Sequence, residues 1–226
     1  MTLASIERLR GKLIVSSQAM DPLSPLRRPD ILSLMAQAAE LGGAGGFRVD
    51  GPDVVRHLRP ATRLPIVGIV KDLRDGFDNY ITTSSADVAA LCTAGADIVA
   101  IQATNGSRSG ESFAEIAATA HRLGAAVLAD ISTLGEAEAA IAAGADFVAT
   151  TMVGHTAATK GEVRPPVDLL GRLVASLSVP VVVEGGVWTP EHVRESFRHG
   201  AFAVVCGSAI TAPDIITRHL LSDAAS

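Results

Sequence analysis

Along the chain, apolar and polar positions repeat one phrase. A short run rich in Val, Ile and Ala gives way to a polar turn, then to an Ala- and Leu-rich amphipathic stretch, then to glycine. The apolar runs fall at 13–17 (LIVSS), 45–49 (GGFRV), 66–70 (IVGIV), 98–102 (IVAIQ), 126–130 (AVLAD), 147–151 (FVATT), 181–185 (VVVEG) and 203–207 (AVVCG). Each is too short for a core helix and too continuously apolar for a strand with one wet face. The runs therefore predict eight strands buried on both sides.

Helical stretches lie between them. "DILSLMAQAAELGG" opens on Asp30 and closes on Gly42, and "SADVAALCTAGAD" opens near Ser85 and ends at Gly95. Further stretches end at Gly124, Gly144 and Gly200, the last opening on Thr189 as N-cap with Pro190 at the first helical position. Glycine just past the last turn supplies the left-handed residue that stops a helix. A short helix is also expected at the N-terminus. Strands alternating with helices imply parallel pairing through right-handed crossovers. Eight such units in 226 residues favour closure into a single-domain α/β fold, the (β/α)8 or TIM barrel, for which roughly 250 residues is typical. The rival, an open doubly wound sheet, needs a glycine-rich first turn, and "SSQAMDPLSPLRRPD" contains no glycine.

Composition narrows the partners. A net charge of -5, with 19 Lys+Arg against 24 Asp+Glu, leaves no basic stripe for nucleic acid, and aromatics make up only 4%. No apolar run approaches the ~20 residues of a membrane helix, and "MTLASIERLRGK" lacks the apolar centre of a signal peptide. Cys92 and Cys206 read as small buried hydrophobes, and no His/Cys/Asp spacing suggests a metal. A cytoplasmic protein is expected. His57, His121, His192, His199 and His219 fall on helical patterns and read as surface or cap residues.

Barrel active sites gather at the C-terminal ends of the strands. In chain order those ends carry Gln18, Arg48, Lys71, Gln102, Asp130, Thr150 with Thr151, Glu184, and Gly207-Ser208. Singly, each reads equally well as a loop anchor or a structural ion pair. Together they bring one amine, an arginine and two carboxylates to one rim. Burial there lowers a lysine's pKa while a nearby carboxylate raises it. A lysine that sheds its proton near neutrality serves as a base or forms a Schiff base, and a carboxyl group beside it carries the opposite proton. That pairing suits proton abstraction next to a carbonyl. The turns "VVVEGGVWTPE" and "VVCGSAITAPD" follow strands seven and eight. Gly185, Gly186, Gly207 and Ser208 there could hold a phosphate on backbone N–H groups, or the glycines could merely allow tight turns. Trp188 is expected to pack beneath the strand-seven loop, and Lys160 to lie in a loop over the mouth.

The motifs "LIVSSQAMDPLSP", "GGAGGFRV", "PIVGIVKD", "YITTS", "LADIST", "ATTMVGHT", "EGGVWTPE" and "GSAITAPDIIT" stand in the order found in bacterial N-acetylmannosamine-6-phosphate 2-epimerases, which the chain resembles from end to end. The resemblance implies a (β/α)8 barrel that interconverts N-acetylmannosamine 6-phosphate and N-acetylglucosamine 6-phosphate. It implies removal and return of the C2 proton without a cofactor. It makes Lys71, Glu184 and Asp130 the catalytic set, and Gln18, Arg48, Gln102, Arg108, Thr150 and His155 the substrate-binding set. Phosphate falls to the two glycine turns, and a homodimer is implied as well.

The departures matter equally. Gln102 stands where the family has Asp, Gly106 where it has Arg, and Ser109 where it has Pro, leaving Arg108 alone in that loop. Gly186 and Ala212 replace arginines in the two phosphate turns, His155 replaces a Tyr, and Ser84 a Pro. Losing a guanidinium–phosphate contact costs ~1.5–3 kcal/mol. Three readings follow: the epimerase itself, a related epimerase acting on a different or unphosphorylated sugar, and a non-catalytic ligand-binding barrel.

Overall fold

The computed structural model describes residues 6–224. Among these residues, β1 (Leu13–Ser17), β2 (Gly46–Asp50), β3 (Ile66–Ile69), β4 (Ile98–Gln102), β5 (Ala126–Asp130), β6 (Phe147–Ala149), β7 (Val181–Glu184) and β8 (Ala203–Cys206) pair in parallel, in sequence order. The last returns to the first, with Leu13 opposite Val204 and Val15 opposite Cys206, so the sheet is a closed barrel. Around it run α1 (Pro29–Leu41), α2 (Pro52–Leu58), α3 (Ser85–Ala94), α4 (Phe113–Arg122), α5 (Leu134–Ala142), α6 (Val167–Ser176) and α7 (Pro190–Arg198). After β8 come a single turn, α8 (Ser208–Thr211), and the last helix, α9 (Pro213–Ala224).

The continuous apolar runs have a simple cause. Successive strand residues face opposite sides, and here both sides are dry. Val15, Phe47, Val49, Val99, Ile101, Val127, Ala129 and Val148 pack outward against the helices. Their alternates Ile14, Val67, Ile69, Ile98, Ala100, Leu128, Phe147, Ala149, Val182 and Val205 fill the barrel. Ile6 and Leu9 join this inner cluster with Phe202 and close the N-terminal end. The predicted N-terminal helix falls largely outside the described residues.

Local chemistry sets the helix ends. Thr189 caps α7 as its sequence implies, accepting from the His192 N–H, with Pro190 following. Thr133 with Glu136, and Ser112 with Glu115, form reciprocal capping boxes on α5 and α4. Two boundaries differ from the sequence reading. Ser84, not Ser85, caps α3, because its hydroxyl reaches the Asp87 N–H. The left-handed residue after α1 is Gly43, while Gly42 stays right-handed. No helix among the described residues is long and apolar enough to cross a membrane.

Candidate active site

The alternation that builds the core also builds the site. Continued by two residues toward the C-terminal rim, the inward-facing series becomes polar: Ser16 and Gln18, Arg48, Lys71, Gln102, Asp130, Thr151, Glu184. At its centre lies a charge cluster. The Arg48 guanidinium clasps Asp130 with two bonds, 3.0 and 2.6 Å, and the two side chains are 1% and 0% exposed. Arg48 Nη1 also stands 3.3 Å from Glu184 Oε2. Burial opposes the charge on Arg48, but Asp130 and then Glu184 outweigh it and hold the guanidinium firmly protonated. Its buried Nε has no partner among the described residues.

Burial raises the Glu184 pKa above the ordinary carboxylate range. Arg48 acts against this, and the Asp130 charge adds to it. The Thr151 hydroxyl sits between the two acids, 2.6 Å from Asp130 Oδ1 and 3.1 Å from Glu184 Oε2. A hydroxyl has one proton to donate. Directed at either acid it favours the ionised form, and its bond to Glu184 therefore opposes the effect of burial there.

Lys71 follows β3 and pairs through a short antiparallel bridge with Ile81. Its Nζ donates to Gln18 Oε1 at 2.7 Å and to Met20 Sδ at 2.8 Å, and among the described residues it has no carboxylate in ion-pair range. Burial lowers its pKa. Asp50, whose carboxylate accepts the Lys71 backbone N–H at 3.1 Å, pulls the other way, and Arg48 adds to the lowering. The site thus shifts an amine and a carboxyl toward each other in proton affinity, the pattern acid–base chemistry requires.

These groups surround a cavity of about 280 Å³, near the lower end of the ~300–1,000 Å³ common for small-molecule sites. Lys71, Glu184, Gln18, Arg48 and His155 line it, and so do Gly185, Gly186, Gly207 and Ser208 from the two glycine turns. Four residues marked in the sequence stand elsewhere. Asp130 lies behind Arg48. Thr150 exchanges hydrogen bonds with the Glu184 backbone, 2.9 and 3.0 Å, and so fixes that strand end from beneath. Gln102 spends its amide on the loop carrying Lys71 and on Thr104 just beyond its own strand. Its Oε1 accepts from the Tyr80 and Ile81 N–H groups at 2.9 and 3.3 Å, and its Nε2 donates to the Asp78 carbonyl at 3.0 Å and to Thr104 at 2.8 Å. An aspartate could accept there but could not donate. Arg108 binds the Gln102 carbonyl and Asn79, with its other terminal nitrogen buried and unpartnered among the described residues.

Other residues complete the wall. Tyr80 and Arg164 line the cavity, as does Trp188, whose ring meets that of His219 at 4.7 Å, tilted by 34°. Thr151, which the sequence places with Thr150 at the end of strand six, is the one of the two that faces the cavity, with the parity of Phe147 and Ala149. Arg164 is not legible in the sequence, because no periodicity governs the loop that holds it. Lys160, expected over the mouth, lies in the same loop but is exposed and does not line the cavity. Cys206 is buried as expected, but Cys92 only partly.

A family model described as "Putative N-acetylmannosamine-6-phosphate epimerase" matches residues 32–225. The chain belongs to this epimerase family. A relative in Thermosynechococcus vestitus named "Putative N-acetylmannosamine-6-phosphate 2-epimerase" is 43% identical over 209 residues, covering 92% of this chain and 91% of that one. Another of the same name, in Synechococcus elongatus, is 44% identical over 216 residues, covering 93% and 92%. The solved N-acetylmannosamine-6-phosphate 2-epimerase from Clostridium perfringens superposes with a TM-score of 0.92 at 35% identity, covering 96% of this chain and 95% of that structure.

Two of this member's glycines have a structural reason. A Cβ at Gly106 would stand 2.8 Å from the Asp78 Cβ, and one at Gly186 would stand 2.5 Å from the Arg164 Cβ. At both positions another part of the chain fills the space an arginine stem would need.

Proposed function

We propose that the protein is a 2-epimerase that interconverts N-acetylmannosamine 6-phosphate and N-acetylglucosamine 6-phosphate. The observation that carries this reading is the convergence of Lys71 and Glu184 on one cavity, with the amine's pKa lowered and the carboxyl's raised. In the open-chain sugar, C2 lies next to the C1 aldehyde. Lys71, unprotonated, removes the C2 proton, and the electron pair of the broken C–H bond moves into an enolate on O1. Protonated Glu184 returns a proton to C2 from the other face, and the reverse direction exchanges the two roles. No electron leaves the sugar, so the step needs no oxidant or reductant.

Gln18 orients Lys71 and offers its amide to the acetamido group. Arg48 acts mainly through its charge. Both its terminal nitrogens are engaged by carboxylates, so it steadies Glu184 more than it grips an oxyanion. Asp130 and Thr151 hold Arg48 and Glu184 in place. The N–H groups of the turns at Gly185–Gly186 and Gly207–Ser208 receive the phosphate. Solvent-deuterium incorporation at C2, lost in Lys71→Ala and in Glu184→Gln, tests the assignment. Exchange that persists in both variants refutes it.

A second reading is favoured by one observation: neither glycine turn carries a cation, since positions 186 and 212 are Gly and Ala. On this reading the substrate is the unphosphorylated sugar. Comparing kcat/KM for N-acetylmannosamine with and without its phosphate separates the two, because a phosphate user loses most of its rate without that group. We further infer a cytoplasmic site of action, consistent with two unpaired cysteines. We also infer a homodimer formed through the exposed Leu34 and Leu41 of α1 and Leu220 and Leu221 of α9, which sedimentation velocity would reveal.

A further inference from the structure

The mouth of the cavity holds a cation that the proton-transfer chemistry leaves unused. Arg164 enters from the loop between β6 and α6 and lines the wall beside the glycine turns. Its stem lies in a trough of glycines. A Cβ at Gly186 would stand 2.5 Å from the Arg164 Cβ and 2.8 Å from its carbonyl carbon. One at Gly154 would stand 3.3 Å from Nε, and one at Gly185 would stand 3.8 Å from Cδ. Gly186, Gly154 and Gly185 have φ of +72°, +82° and +104°, a region side chains disfavour. At Gly186 nothing larger than hydrogen fits while the Arg164 backbone is in place.

The trough directs the stem, and His155 directs the head: Arg164 Nη1 donates to His155 Nε2 at 3.0 Å. Burial, and then the Arg164 charge, lower the His155 pKa, so the ring accepts this bond as a neutral imidazole. The other two cations of the wall are committed. Arg48 clasps Asp130, and Lys71 is held inside by Gln18 and Met20. Arg164 is exposed, and among the described residues its guanidinium has no carboxylate partner. A planar fork of donors beside the glycine turns matches the oxygens of a phosphate monoester.

We propose that Arg164 is the phosphate-binding guanidinium of this site, reaching across the mouth from the β6 side to the turns after β7 and β8. The assignment rests on the sugar-phosphate reading and deepens it, since it supplies the charge that positions 186 and 212 lack.

Arg164→Ala and Arg164→Lys test it. The side chain is exposed, so both variants should fold like the parent. kcat/KM is measured for N-acetylmannosamine 6-phosphate and for N-acetylmannosamine, and the affinity for N-acetylglucosamine 6-phosphate by calorimetry. For Arg164→Ala the expected result is a loss of about 10- to 100-fold on the phosphorylated sugar, mostly in KM, with little change on the free sugar. Arg164→Lys should fall between the parent and Ala, because it keeps the charge but not the fork. Equal losses on both sugars, or no loss on either, would overturn the proposal. If the parent turns over neither sugar, the epimerase reading fails, but calorimetry still decides the role of Arg164. Parent binding that weakens in Arg164→Ala upholds it, while unchanged or absent binding rejects it.

Discussion

At the scale of the residue, the central relation joins Lys71, Glu184 and the hydroxyl between the acids. A two-base epimerase works only when its acid–base pair carries one proton between them, as amine and acid or as ammonium and carboxylate. The pH profile of kcat/KM should therefore be a bell whose limbs belong to the pair. Its acid limb should lie above 4.5, because burial raises Glu184. Its alkaline limb should lie below 10.5, because burial lowers Lys71. The bell is narrower than the free groups would give. Thr151→Val removes a hydrogen bond that favours the Glu184 carboxylate. It should move the acid limb further up and cost about tenfold in kcat, the worth of one buried hydrogen bond at ~1.4 kcal/mol. Thr151→Ser should restore both. An acid limb that stays put in Thr151→Val would separate Thr151 from the titration.

At the scale of the element, the strand ends and the loops behave differently. Gln102 closes β4 and clamps the 70–84 loop through three hydrogen bonds, and Ile81 in that loop pairs with Lys71. Gln102→Leu leaves the Tyr80 and Ile81 N–H groups and the Asp78 carbonyl without this partner. It should cost ~1–3 kcal/mol of stability and lower kcat more than it raises KM, read from denaturant unfolding and steady-state kinetics. A KM effect alone would point instead to direct substrate contact. The same contrast sets what the sequence makes legible. Strands are legible because both faces are dry, and the last crossover helix because Thr189 and Pro190 mark its start. The two-turn α2 starts without a side-chain cap, as does α6, which follows Pro166. Neither was distinguishable from loop. Lys71 and Glu184 could be found because strand ends in a barrel converge. Arg164 and Tyr80 could not, because their positions depend on loops settled only by packing.

At the scale of the whole molecule, the barrel accepts a buried amine that no carboxylate of the described residues contacts, and that has a cost. Lys71 has a folded-state pKa below its ordinary 10.5. Below the folded pKa both states hold the proton, and the folded chain bears the buried charge. Between the folded pKa and 10.5 the folded chain releases the proton first, so stability rises with pH there. Lys71→Met should remove this dependence. At pH 7 it should raise Tm by about 2–4 °C, as ~1 kcal/mol does for a chain of this length, while abolishing turnover. A lower Tm with an unchanged pH dependence would mean that Lys71 is structural. The closed sheet makes this trade possible, since one continuous core supports a rim of polar groups that do not stabilise one another fully.

The most direct test of the central claim follows the C2 proton. N-acetylmannosamine 6-phosphate is incubated in deuterium oxide with the protein, and product and recovered substrate are read by NMR. The account predicts deuterium at C2 of the N-acetylglucosamine 6-phosphate formed, none at other carbons, and no exchange with Lys71→Ala. Epimerised product that retains its original C2 hydrogen, or exchange undiminished without the lysine, would contradict it.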